Sequence, residues 1–158
     1  MKLRGYLAAL LTVCALTSAI GLSGFAVAAN DQYVPKLGDI MNAVQFRHMK
    51  LWFAGKAQNW ALAQYAMVEI RQAFAGIVRA QPKFRGLPVG ELVNAALSQP
   101  MDAVDAAIKA QDPQQFATAY AQLTAGCNAC HAAADHPYVV IKAPDGSAFP
   151  NQDFNPKQ

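Results

Sequence analysis

Two cysteines three positions apart, with a histidine directly behind the second, stand together in this chain as Cys127-Asn128-Ala129-Cys130-His131. Thiols and imidazoles form covalent bonds to cofactors and bind soft or borderline metals. A C-x-x-C-H run is the spacing that attaches c-type haem. The two thiols form thioethers to the vinyl groups, and the neighbouring imidazole is held where it can bind iron as an axial ligand. The spacing therefore leads us to expect one covalent haem c, anchored by Cys127 and Cys130, with His131 as proximal ligand.

Three plainer chemistries compete for the same residues. A thioredoxin-like C-x-x-C needs a βαβ setting with its cysteines opening a helix, whereas these fall late in an apolar helical pattern. A structural disulfide between Cys127 and Cys130 makes no use of His131. Zinc would need a fourth ligand, and His136 is the nearby residue that could supply one. Haem uses all three residues and does not depend on His136 for a fourth.

The start of the chain bears on where such chemistry would happen. Met1-Lys2-Leu3-Arg4 is basic, residues 5–29 carry no charge, and small residues close the run at Ala26-Val27-Ala28-Ala29. That order reads as a secretory signal peptide over residues 1–29, with cleavage after an A-x-A or V-x-A site. The run is also long enough to span a bilayer, so an uncleaved anchor is the competing reading. Leu11-Thr12-Val13-Cys14 makes a poor lipoprotein site, because Val13 is bulky where a small residue is wanted. Cys14 leaves with the leader, so the mature chain keeps Cys127 and Cys130 alone. The expected location is the periplasm, where paired cysteines imply a disulfide or a covalent cofactor.

Charge excludes one class of partner. Without Lys2 and Arg4, 11 of the 13 basic residues face the 10 acidic ones. That near-neutral balance, with no Lys/Arg cluster, does not suit nucleic acid. Hydrophobic residues at 54% and charged residues at 15% supply enough apolar material for one core.

That core should be helical. Met41, Val44, His48, Leu51 and Gly55 recur at steps of three and four, as do Trp60, Ala63, Met67, Ile70, Phe74 and Ile77. A third stripe runs Val89, Val93, Leu97, Met101, Val104 and Ile108, with Pro100 expected to kink or divide it. Asp112-Pro113 restarts a fourth helix whose apolar stripe includes Phe116, Tyr120, Leu123, Cys127 and Cys130. Helices are expected at about 37–57, 60–80, 89–110 and 113–134, followed by a tail over 135–158 whose short apolar run, Tyr138-Val139-Val140-Ile141, is expected to wrap over the helices or the haem edge with one extended segment. Four amphipathic helices with short connectors predict an all-α fold, an antiparallel four-helix bundle with the haem motif in its last helix and an irregular C-terminal tail. The aromatic residues Trp52, Phe53, Trp60, Tyr65, Phe74, Phe116 and Tyr120 are expected mostly in the core.

In such a bundle the N-terminal part of the first helix lies beside the C-terminal part of the fourth. Met41 is then the better-placed candidate for the distal iron ligand. His48 is the alternative, from about two turns deeper, roughly 10 Å along the axis. His136 is expected to cap the helix end or approach a propionate. Arg47, Lys50 and Lys56 are basic residues that could pair with one.

This arrangement resembles the class II cytochromes c, the cytochrome c′ group and its low-spin relatives. Arg47-His48-Met49-Lys50-Leu51-Trp52-Phe53-Ala54-Gly55, the C-x-x-C-H run and Phe149-Pro150-Asn151-Gln152-Asp153-Phe154 are more closely similar to a set of exported bacterial mono-haem cytochromes. The resemblance implies His131 as proximal ligand and a methionine early in the first helix, matched by Met41, as distal ligand. Two departures stand out. Class II chains carry an aromatic and a basic residue shortly after the motif histidine and end soon afterwards. Here Ala132-Ala133-Ala134-Asp135 follows, and then a long tail.

The expected function is one-electron transfer by a periplasmic mono-haem cytochrome, acting with redox partner proteins and not as an enzyme by itself. It could serve as a subunit of a larger oxidoreductase. The alternative is a five-coordinate haem module that binds NO, CO or O₂. Membrane association is expected only through an uncleaved leader. The oligomeric state is left open, with a homodimer among the choices.

Overall fold

A computed structural model describes residues 35–146, 149 and 152–155, all within one compact unit, Val34–Gln158. The expected leader over 1–29 lies outside the described residues. Four helices make up the unit: α1 (Leu37–Lys56), α2 (Trp60–Ala80), α3 (Val89–Ala110) and α4 (Pro113–Ala133). Successive helices pack on one another and α1 closes against α4. Joined by short connectors, they form an all-α four-helix bundle without strands among the described residues.

Local chemistry accounts for where the helices begin. Asn59 accepts the Leu62 N–H at 3.1 Å and so caps α2. Asp112 accepts the N–H groups of Gln114 and Gln115 at 2.8 and 3.0 Å, with Pro113 at the first helical position of α4. Pro100 lies inside α3 without dividing it; the helix runs unbroken through it.

The apolar stripes meet in the middle. Leu51, Ala63, Met67, Ile70, Ile77, Val93, Leu97, Val104, Phe116, Tyr120 and Leu123 are buried together, each large member contributing roughly 1.5–3 kcal/mol. Tyr65 departs from the aromatic expectation. It stands off the Ala63, Met67 and Ile70 stripe and is 57% exposed. Trp52, Phe53 and Trp60 are half-buried. Between helices, Arg71 pairs with Asp102 and Asp105 at 2.6 Å each, tying α2 to α3.

Two glycines set close approaches. A Cβ at Gly55 would sit 2.1 Å from the Phe116 ring, and one at Gly126 would sit 2.6 Å from the Ala96 carbonyl oxygen. Gly126 directly precedes Cys127, so α4 is drawn against α3 where the motif begins. The two cysteines are thereby set beside the bundle interior.

Candidate cofactor site

Cys127, Cys130 and His131 lie in the last two turns of α4. They open onto two neighbouring apolar cavities of about 100 and 260 Å³. The smaller is lined by Met41, Val44, His48, Phe74, Cys127 and Ile141 among others. The larger includes Leu37, Phe84, Leu92 and His136. Met41, Cys130, His131 and Val139 border both. All five residues expected at the site from sequence therefore line the smaller cavity. Met41 comes from the second turn of α1, which lies beside the end of α4.

The two thiols are not joined to each other. Burial, reinforced by the charge of Cys130, pushes the Cys127 thiol up to about 12. Burial also raises Cys130. Thiol–disulfide exchange enzymes do the reverse, holding a thiolate at a helix N-terminus or beside a cation. These cysteines sit at the opposite end of their helix. They are apolar-facing thiols, suited to a bond with an apolar cofactor edge.

His131 is half-buried, and its Nδ1 lies 2.8 Å from the Val139 carbonyl oxygen. A carbonyl only accepts, so Nδ1 carries the proton and donates it. In the neutral ring Nε2 then holds the lone pair. An imidazole fixed in this way, with one nitrogen donating to a backbone carbonyl, has the arrangement typical of a metal-binding histidine.

His48 is held differently. It is 4% exposed, and both ring nitrogens are within hydrogen-bond distance of α4 side chains. Nδ1 is 2.8 Å from the Tyr120 hydroxyl and Nε2 is 3.0 Å from the Thr124 hydroxyl. The Thr124 hydroxyl donates its single proton to the Tyr120 carbonyl at 2.9 Å. It must therefore accept from His48, which makes the ring Nε2–H. Nδ1 in turn accepts from the Tyr120 hydroxyl, whose longer contact, 3.2 Å, reaches the His48 carbonyl. The ring stacks on Tyr120 with centroids 4.4 Å apart. Burial lowers the His48 pKa to about 4, keeping it neutral. The Tyr120 hydroxyl is pushed well above its ordinary value, chiefly by burial.

The remaining candidates are engaged elsewhere. His136 donates Nδ1–H to the Ala134 carbonyl at 2.6 Å, and its backbone N–H bonds to the His131 carbonyl at 2.8 Å. It thus finishes the helix end, as expected for a cap. Arg47 pairs with Glu69 at 3.3 Å, Lys50 lies over Phe149 and Lys56 lies over Trp52. Among the described residues no group of three or more His, Cys, Asp or Glu side chains could hold a metal ion. Haem iron takes four ligands from its own macrocycle and needs no such group from the protein.

Tyr120, Thr124, Asn128, Val139 and Ile141 belong to the site or its support. Tyr120 was expected in the core, and Val139 and Ile141 in an apolar run over the helices or the haem edge. Thr124 and Asn128 were not legible, although they follow Tyr120 of the apolar stripe at steps of four on α4.

No protein-family model, curated protein or solved structure matches the chain. No helix among the described residues is long and apolar enough to cross a membrane.

Proposed function

We propose that this chain is an exported mono-haem c-type cytochrome that carries single electrons between periplasmic redox proteins. The observation that carries the reading is the convergence of Cys127, Cys130, His131 and Met41 on one apolar site, with His131 in the tautomer that leaves Nε2 for iron. The donor set fits the group. Two thiols supply covalent anchors, an imidazole the proximal ligand and a thioether sulfur the distal one. The haem would supply the one-electron couple. The chain's own residues would anchor it, orient the axial imidazole and shield it from water.

Met41 is favoured over His48 as distal ligand, because Met41 borders both cavities while His48 has both nitrogens bonded to α4. A haem-stained gel and an acid–acetone extraction test the covalent attachment. A colourless protein that reduces insulin disulfides would instead be a thiol oxidoreductase. The optical spectra of the purified protein and of Met41→Ala test the distal side. A low-spin spectrum unchanged by CO, converted to a CO-binding high-spin one by Met41→Ala, supports a six-coordinate carrier. A high-spin spectrum and rapid CO uptake in the unmodified protein would replace the carrier reading with a gas-binding one.

A further inference from the structure

The tail after α4 does not wander away from the motif. Asp135 takes a left-handed backbone conformation, φ 61°, and the His136 N–H returns to the His131 carbonyl. This is the reversal that commonly ends a helix. It sends the chain back along the last turns of α4. Residues 138–141 then alternate. Tyr138 and Val140 are 76% and 71% exposed, whereas Val139 and Ile141 line the smaller cavity. The alternation is that of an extended segment with one face inward.

Two residues of the motif hold this segment. The Asn128 side chain meets Ile141 with both of its polar atoms. Its Nδ2 donates to the Ile141 carbonyl at 2.9 Å, and its Oδ1 accepts the Ile141 N–H at 2.7 Å. Three residues further along α4, His131 donates to the Val139 carbonyl. Residues three apart are neighbours on a helix surface, and carbonyls two apart point the same way along an extended chain. The tail runs antiparallel to the end of α4 in a register fixed by the paired Asn128 bonds.

We propose that Asn128 is a positioning residue for His131. It locks the 139–141 segment so that the Val139 carbonyl stays on Nδ1 and Nε2 remains the iron-facing nitrogen. The inference rests on the haem reading given above. A carbonyl accepting from Nδ1–H strengthens the imidazole as a donor and so favours the oxidised metal. Without Asn128 that carbonyl loses its register, the imidazole becomes a weaker donor and the reduction potential rises.

The test compares unmodified protein with Asn128→Ala, Asn128→Asp and Ile141→Pro by amide hydrogen exchange and by redox titration. Asn128→Ala should speed exchange across 138–141 and shift the potential upward. Asn128→Asp, which keeps the acceptor for the Ile141 N–H but has no donor for the Ile141 carbonyl, should fall between in exchange rate, its own charge acting separately on the potential. Ile141→Pro, which removes that N–H from outside the motif, should move the potential in the same direction. It decides the matter should Asn128→Ala fail to take up haem. A potential unchanged in the haem-bearing variants overturns the positioning role, as does a shift without faster exchange. An unmodified protein without covalent haem overturns the proposed function instead, while exchange in the same haem-free chains still reports whether Asn128 holds the tail.

Discussion

His48 and His131 border the same cavity, yet the bundle treats them oppositely. His48 sits deep on α1, 4% exposed, with each ring nitrogen matched to a hydroxyl of α4. His131 sits at the open end of α4, half-buried, with one nitrogen fixed by a backbone carbonyl. A ring bonded at both nitrogens holds helices together and has no lone pair to spare. A ring bonded at Nδ1 alone is oriented and still has one. The difference separates a histidine that serves the fold from one available to a cofactor.

The largest effect should come from exchanging the two losses. His131→Ala removes the proposed proximal nitrogen while Cys127 and Cys130 remain. It should abolish the native visible spectrum. His48→Ala should leave the positions and relative intensities of the bands in place. Absorption spectra of the two variants, normalised to protein, decide this. A spectrum altered by His48→Ala and retained in His131→Ala would reverse the assignment.

Stability should respond in the opposite order. His48→Ala leaves a cavity and takes the Nδ1 acceptor from the Tyr120 hydroxyl, which keeps only its longer contact to the backbone carbonyl of residue 48. Urea unfolding should therefore register a loss of roughly 2–5 kcal/mol. His131 is only half-buried and should cost far less in the haem-free chain. The same burial makes stability depend on pH. His48 titrates near 6.5 when unfolded and at about 4 in the fold, so between these values the unfolded chain binds the extra proton. Its contribution is complete above pH 6.5, falls as pH drops toward 4 and is flat below. The total loss across that window is roughly 3 kcal/mol, at about 1.4 kcal/mol for each pH unit. Unfolding free energies measured from pH 7 to 4 should lose that slope in His48→Ala. An equal slope in the variant would mean that His48 is not held neutral.

The contrast between the histidines was only half legible in the sequence. Helix positions followed from apolar residues at steps of three and four, because burial of one face is a local pattern. Cys127, Cys130 and His131 could be picked out for the same reason, their types and spacing lying within five consecutive residues, and they line one cavity. His48 carried no such mark. It fell on the apolar stripe of α1 between Val44 and Leu51, and periodicity cannot tell a ligand from a satisfied core group. Its partners are on α4, more than seventy positions away. The tail was legible in part. The apolar run Tyr138-Val139-Val140-Ile141 led to the expectation that it wraps over the helices or the haem edge, but its register is set by Asn128 side-chain bonds, which no hydrophobic period announces.

The smallest effect probes the proton inventory around His48. Thr124→Val removes the acceptor of Nε2–H and would, with a rigid ring, leave a buried donor unsatisfied. The geometry offers a second pattern. With the proton on Nδ1, the ring donates to the Tyr120 oxygen, and the Tyr120 hydroxyl turns to the His48 carbonyl it already approaches at 3.2 Å. The tautomer change limits the loss to about 1 kcal/mol, the net worth of an ordinary hydrogen bond. Imidazole ¹⁵N shifts should then report Nε2–H in the unmodified protein and Nδ1–H in Thr124→Val. The variant's freed Nε2 would also make His48 resemble His131 in the one respect that separates them. A ring that keeps Nε2–H after the substitution would show that Thr124 does not choose its tautomer.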